Sequence, residues 1–272
     1  MKLYYYKDIK GNFGDDLNVW LWSRLLPDFF DDAEDAIFIG IGTLLNSLLP
    51  RPPFKVVFSA GVGYKNPPPP VDDSWKIYCV RGPLSAAKLG IDTKMAITDG
   101  AALLNTIEFP EQDKNHEITF IPHHASHRPR WKGFCSKIGI NYIDPAESVD
   151  FVLTEIRKTK LVIAESMHGA IVADIFRVPW IPVKFHKHIL DFKWHDWCQS
   201  LGLKYNPVTL PTFIKPEYKN KYYFRFKYVL ISLGLKWVAK RREPILSSNE
   251  ILDSATSRLQ EKLEQFKKDF AF

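Results

Sequence analysis

The chain has 272 residues, of which 46% are hydrophobic and 14% aromatic, so it can bury one large or two ordinary domains and is not intrinsically disordered. Its three cysteines, Cys79, Cys135 and Cys198, lie far apart, which fits neither a disulfide framework nor a zinc motif and favours a reducing compartment. The sequence has no apolar run long enough to span a membrane and no signal-peptide cleavage site at its start, so we expect a cytoplasmic protein.

The net charge of +6 is concentrated in one part of the chain. Residues 213–243 contain nine basic and two acidic residues, a local net charge of +7. The remainder is therefore close to neutral. This distribution argues against general binding of nucleic acid and predicts one local basic surface.

The first part of the chain alternates short apolar runs with helical patterns. Such runs, bounded by glycine or polar residues, are typical of buried strands in a parallel sheet. The predicted strands are 2–6, 36–41, 55–59, 76–80 and 95–98, and the predicted helices span 17–25, 44–49 and 84–89.

A polar stretch at 111–116 interrupts this alternation, which then restarts. The second set consists of strands at 117–121, 141–143, 161–164 and 180–183 and helices at 131–138, 146–159 and after Ser166. Alternating strands and helices indicate parallel sheets covered on both faces. The sequence therefore predicts an α/β protein with two Rossmann-like domains, 1–112 and 113–212, facing a cleft. A basic and amphipathic helical tail, 213–272, follows them.

The strand–helix unit at 160–183 is the most informative stretch. Ser166 is a suitable N-cap for the helix, and Gly169 permits a close approach of the backbone. His168 then falls in the first turn, just past the carboxyl end of a strand, where open α/β sheets bind their ligands. The helix dipole favours an anion at this point. The alternatives are a histidine bonded to the backbone and, for Glu165, a simple charge at the strand end.

Other polar residues also follow predicted strands. An arginine beside a helix start suits a carboxylate or phosphate, and its alternative is a surface ion pair. The alternative for the acids in the loop is a helix cap. The histidine cluster lacks the partner acids or cysteines of a zinc motif, so we predict no metal site. The absence of a G-x-G-x-x-G motif gives no support to a dinucleotide cofactor. The residues concerned are Asn12, Gly14, Asp15 and Asp16 in one loop, Arg81 before Gly82, and His123 with His124 and His127.

Residues 192–197 read Phe-Lys-Trp-His-Asp-Trp. Aromatic faces with charged tips suit sugar rings, which makes Trp194 and Trp197 candidate acceptor contacts. The alternative is a linker whose tryptophans are buried.

In this order, the motifs resemble the polysaccharide pyruvyl transferase family over roughly residues 3–200. The resemblance implies a two-domain fold similar to that of GT-B glycosyltransferases. It also implies transfer of the pyruvyl group of phosphoenolpyruvate to two hydroxyls of one sugar, which forms a cyclic ketal and releases phosphate. The sugar would belong to an exopolysaccharide or cell-surface glycan precursor, usually still on a lipid carrier. The motifs are Gly-Asn-Phe-Gly-Asp-Asp-Leu-Asn at 11–18, Arg-Gly-Pro at 81–83, His123, Glu-Ser-Met-His-Gly-Ala at 165–170 and Phe-Lys-Trp-x-Asp-Trp at 192–197.

The resemblance and the chemistry of the residues together give three sets of candidate site residues. Ser166 stands where many relatives have arginine, so Arg81 and Lys193 are the candidates for supplying positive charge to the donor. Phosphoenolpyruvate is the expected donor substrate, with no metal and no organic cofactor. The catalytic candidates are His168 as acid or phosphate stabiliser and Asp16 or Glu165 as base. The donor-binding candidates are Arg81, Ser166, Gly169, Lys193, Asn12 and Gly14, and the acceptor-binding candidates are His123, Trp194, Trp197 and Asp15.

Two other functions stay open at this point: a GT-B glycosyltransferase that uses a nucleotide-sugar, and a non-catalytic carbohydrate-binding relative. For the tail, residues 222–242 mix aromatics, leucines and lysines as interfacial helices do. We therefore expect contact with an anionic membrane surface, at the inner face of the membrane, with packing of this helix on the domains as the alternative.

Overall fold

The computed structural model describes residues 1–50, 54–64, 68, 70–128, 130–185, 189–211 and 221–271, with the backbone alone for 221–225. The first part of the predicted basic segment, 213–220, lies outside these residues. Helices and strands follow each other in the order β1 Lys2–Tyr4, α1 Phe13–Leu25, β2 Ala36–Ile39, β3 Phe54–Phe58, β4 Trp75–Cys79, α2 Pro83–Leu89, β5 Thr119–Ile121, α3 Arg130–Lys137, β6 Asn141–Tyr142, α4 Val149–Arg157, β7 Val162–Ala164, α5 Met167–Ile175, β8 Trp180–Lys184, α6 Asp191–Ser200, β9 Val208–Thr209, α7 Lys221–Arg241 and α8 Asn249–Asp269.

The chain forms two compact units that interleave along the sequence. The first unit comprises Met1–Pro110, Leu190–Tyr205 and Ser247–Phe272, and the second comprises Glu111–Ile189 and Asn206–Leu246. The predicted domain ranges were continuous and therefore differ from these units. Leu190–Tyr205 and Ser247–Phe272 return to the first unit, and α7 belongs to the second. The cleft implied by the resemblance stays a prediction.

The first unit has a parallel sheet with the strand order β1-β2-β3-β4. Its register places Phe38 opposite Val56, and both side chains are fully buried. Helix α8 completes this unit, since Phe266 is buried and contacts the rings of Phe38 and Tyr78. The last part of the predicted tail is therefore integral to the first unit.

Two predicted elements of the first unit are wrong. Residues 95–98 do not form a strand, because Thr93–Met95 is a 3-10 turn and only Ala96 bridges, to Val80. Residues 44–49 do not form a helix, and Leu45 instead bridges Val62. In both places the apolar residues predicted a longer element, whereas the backbone forms a single bridge.

The second unit contains a parallel sheet with the order β6-β5-β7-β8-β9. Its core includes Phe120 of β5, Ile163 of β7 and Ile181 of β8, together with Leu235 of α7. The parallel sheets and their helices confirm the predicted α/β class. Within the described ranges, no helix combines the length and hydropathy needed to cross a bilayer.

Candidate active site

The carboxyl edge of the second sheet carries four of the predicted site residues. Strands β5 and β7 are neighbours in this sheet, so their carboxyl ends lie side by side. His123 follows β5, and the Glu165–Ser166 pair joins β7 to α5. His168 is the second residue of α5. The structure thus brings His123, Glu165, Ser166 and His168 to one edge of one unit.

The start of α5 fixes the position of His168. The Ser166 hydroxyl accepts a hydrogen bond of 3.2 Å from the Gly169 N–H, which makes Ser166 the N-cap. A Cβ atom on Gly169 would lie 3.2 Å from the Ile121 side chain, so the glycine allows the helix start to sit close to β5. His168 is partly exposed, whereas its Nε2 atom is buried. The first-turn amides and the helix dipole give this edge a positive potential that suits an anion.

Glu165 links three neighbouring strands. Its side chain is fully buried. One carboxylate oxygen accepts the N–H of His123 at 3.1 Å, and the other accepts the N–H of Phe185 at 2.7 Å. These bonds join the carboxyl ends of β5, β7 and β8. Both oxygens are thus bonded to backbone N–H groups, and the predicted role of Glu165 as a base stays a prediction.

The imidazole of His123 has a defined orientation. Its Nδ1 accepts the N–H of Ala125 at 3.2 Å, which assigns the proton of the neutral ring to Nε2. The ring centroid lies 4.2 Å from that of His124. His127 is engaged elsewhere, by the Tyr142 hydroxyl at 2.9 Å and by Asp144 at 3.2 Å. Within this cluster, His123 and His124 therefore lie side by side after β5, whereas His127 bonds to residues of β6 and the loop that follows it.

In the first unit, the first turn of α1 contains one carboxyl group with a strongly altered pKa. Burial raises the pKa of Asp15 to about 7, although a hydrogen bond from Asn12 and the charge of Lys193 oppose the rise. The Asn12 amide donates to Asp15 at 2.5 Å. Asp16 accepts the backbone N–H of Asn12 at 3.2 Å, as a helix-capping acid does. Asp15, predicted as an acceptor contact, is therefore a carboxyl group that is partly protonated near neutral pH.

Lys193 supplies a cation to the same unit. It is only 7% exposed, and its ammonium group donates to the Tyr64 hydroxyl at 2.8 Å. Gly14, the remaining member of the loop in the predicted donor set, is buried in the first turn of α1.

Arg81 is fully buried and holds helix α6 in place. Its Nε donates to Asp196 at 3.0 Å and its Nη1 to Thr43 at 2.9 Å. Asp196 also accepts the N–H of Ser85 at 2.8 Å and its hydroxyl at 2.6 Å. A Cβ at Gly61 would lie 2.2 Å from the guanidinium, so only glycine fits there. Arg81 was predicted to bind the donor, with a surface ion pair as the alternative; the structure shows an ion pair with Asp196 that is buried.

The two tryptophans predicted to contact the acceptor are buried instead. Trp194 has no exposed surface, and its ring stacks on Tyr205 with centroids 4.9 Å apart. Trp197 is 1% exposed. Their faces therefore pack against protein, as the linker alternative predicted.

Sequence reasoning missed Asp196, the partner of Arg81. The available signal was its place between Trp194 and Trp197, since an acid within a buried aromatic segment requires a partner. No signal in the sequence indicated the raised pKa of Asp15, because it depends on burial.

Comparison with known proteins identifies the family of this chain. The family described as polysaccharide pyruvyl transferase matches residues 101–186, a range that contains His123, Glu165 and His168. The chain is 43% identical over 221 residues to the succinoglycan biosynthesis protein ExoV of Rhizobium meliloti (strain 1021), which covers 80% of this chain and 70% of that protein. The resemblance noted in the sequence is thereby confirmed. The chain belongs to the polysaccharide pyruvyl transferase family and is a transferase.

Proposed function

We propose that this protein transfers the pyruvyl group of phosphoenolpyruvate to two hydroxyls of one sugar in an exopolysaccharide precursor carried on lipid. The product is a cyclic pyruvate ketal, and phosphate is released. The observation that carries the proposal is the position of His168 in the first turn of α5, inside the region that matches the family. The relative ExoV is a succinoglycan biosynthesis protein, which supports an exopolysaccharide as the acceptor.

The donor in this proposal is a small molecule with a carboxylate and a phosphate. The amides at the start of α5 and the imidazole of His168 suit the phosphate, and His123, at the same sheet edge, is the candidate for a second oxygen. Lys193 stays a prediction from the sequence for a further cation. Arg81 is left out, because Asp196 already neutralises it.

The reaction balances with two sugar hydroxyls and one donor. A proton adds to the methylene carbon, and the first sugar oxygen bonds to the central carbon. The bond from that carbon to the phosphate oxygen then breaks, and the phosphate leaves with the bonding electrons. The second sugar oxygen bonds to the same carbon. Of the two hydroxyl protons, one is balanced by the new methyl group and the other by the released phosphate, so these steps need neither a metal nor an organic cofactor.

The proposed roles follow from the local chemistry of each residue. His168 provides the proton or stabilises the leaving phosphate, since an imidazolium is favoured beside phosphate. Asp15 takes the proton from a sugar hydroxyl, which suits a carboxyl group that titrates near neutral pH. Asp16 and Glu165 have capping and positioning roles.

The direct test incubates the purified protein with phosphoenolpyruvate and a lipid-linked oligosaccharide from exopolysaccharide assembly. We expect equal amounts of released phosphate and of an acceptor that has gained one ketal-linked pyruvyl group, measured by mass spectrometry. Nucleotide-sugars serve as the control donors. Sugar transfer from a nucleotide-sugar, with no release of phosphate from phosphoenolpyruvate, would contradict the proposal.

A further inference from the structure

Helix α7 has a buried apolar face that anchors it in the second unit. Ile231, Leu235 and Val238 have no exposed surface and belong to the core of that unit. The ring of Tyr228 packs on Phe134 with centroids 4.6 Å apart. These contacts hold the helix through one side alone.

The opposite side of α7 exposes large apolar side chains to solvent. Phe226 is 59% exposed, Val229 46%, Leu233 60% and Trp237 51%. Their spacing of three and four residues places them on one face of the helix, away from the buried face. Contiguous exposed groups of this size mark an interaction surface, unlike single exposed apolar residues.

The surroundings of this face are cationic. Lys236, Lys240 and Arg241 are exposed, and their positions place them on or beside the apolar stripe. The sequence of α7 contains no aspartate or glutamate. The face therefore combines an apolar centre with positive charge and has no acidic residue of its own helix to offset it.

We propose that this face of α7 binds the surface of an anionic lipid bilayer. Apolar side chains enter the boundary between headgroups and acyl chains, tryptophan is favoured at that depth, and the flanking cations contact anionic headgroups. Since α7 is anchored through its other face, the helix binds lipid without leaving the protein core. A second copy of the chain fits less well, because a symmetric contact would bring the same cations together.

The test is flotation with vesicles of phosphatidylcholine containing about 30% phosphatidylglycerol, at low salt and without donor or acceptor. We expect the protein to float with these vesicles, to remain behind with pure phosphatidylcholine, and to dissociate at high salt. The double variant Leu233→Ser with Trp237→Ser should lose most of the binding. Lys236→Gln and Lys240→Gln should each weaken it about fivefold.

Two matched controls carry equivalent changes elsewhere. Val19→Ser alters another exposed apolar residue, on α1, and Lys88→Gln alters another exposed cation, on α2, so neither should change flotation. Failure of the wild type to float, or equal flotation of the double variant, would overturn the inference. So would a dimer in light scattering that the double variant converts to a monomer, with no vesicle binding. Because no substrate is present, these outcomes are independent of the proposed reaction.

Discussion

His168 is the side chain whose replacement should affect the reaction most directly. We expect His168→Gln to lower kcat by about 10²- to 10⁴-fold, since it removes an acid or a phosphate contact. The melting temperature should change little, because the residue is partly exposed. Measurement of phosphate release gives the rate, and His127→Gln, away from the start of α5, is the control. Full turnover by His168→Gln would rule out a catalytic role.

The raised pKa of Asp15 should be visible in stability as well as in catalysis. A carboxyl group with a folded-state pKa of about 7, above its ordinary value of 3.8, penalises the folded state once it ionises. The contribution of Asp15 to stability is therefore lost as pH rises from about 4 to about 7, and Asp15→Asn removes this contribution from the pH dependence. The unfolding free energy of Asp15→Asn relative to that of wild type should be about 2 kcal/mol higher at pH 8 than at pH 4. This value includes a discount for solvent screening, because Asp15 is partly exposed.

Urea unfolding at the two pH values measures this effect, with Asp16→Asn as the neighbouring control. The same pair separates the proposed roles in catalysis. Asp15→Asn should abolish the acidic limb of the pH profile of kcat/KM, whereas Asp16→Asn should preserve it. Equal pH dependence of stability in wild type and Asp15→Asn would show that the carboxyl group titrates normally.

At the scale of single elements, α6 depends on one buried ion pair. Asp196→Ala removes the ion-pair partner of the buried guanidinium of Arg81, which should cost about 3–5 kcal/mol of unfolding free energy. Thermal or urea unfolding measures the loss. Gln199→Ala, an exposed change on the same helix, should stay within about 0.5 kcal/mol of wild type. A small loss in Asp196→Ala would mean that the ion pair is replaced by other contacts.

Helix α8 should be similarly sensitive at its aromatic contact with the first sheet. Phe266 is fully buried and lies edge-on to both Phe38 and Tyr78. We expect Phe266→Ala to destabilise the protein by about 3–5 kcal/mol, since it removes a large core side chain. Glu261→Ala, on the same helix and exposed, is the control. Unchanged unfolding of Phe266→Ala would show that α8 adds little to the first unit.

The sequence predicted the elements whose patterns are local. Strands β3, β4 and β7 and helix α5 were recognisable because apolar runs end in glycine or polar residues and Ser166 marks a helix start. Helix α6 was not predicted, because its start at Leu190 has no side-chain cap and its aromatic residues give no one-sided pattern. The failures at 44–49 and 95–98 came from apolar residues that bridge a neighbouring segment and do not continue a regular element.

The candidate site was predictable to the same extent. His123, Ser166 and His168 were found because they follow strands, and parallel strands end at a shared edge. The roles of Glu165 and Arg81 were not, since both depend on burial and on partners distant in sequence. A sequence motif predicts that a residue lies near a site. The ion pairs of that residue in the folded protein decide whether it can contact a ligand.

For the molecule as a whole, the cysteines offer a simple test of folding. Cys79, Cys135 and Cys198 are free and buried, and burial raises the pKa of the Cys79 and Cys135 thiols to about 12. A thiol reagent should therefore label none of them in the native protein and all three in denaturant. The melting temperature should not respond to a reductant. Rapid labelling of the native protein would reveal an opened core.

The interleaving of the two units has a consequence for synthesis on the ribosome. The first unit takes in α8, whereas the last residue of the second unit is Leu246. The ribosome therefore synthesises every residue of the second unit before it completes the first unit. The four-stranded sheet is synthesised first, and the aromatic surface that Phe266 covers stays exposed until α8 has been made. Chaperones have their clearest opportunity to bind during that interval.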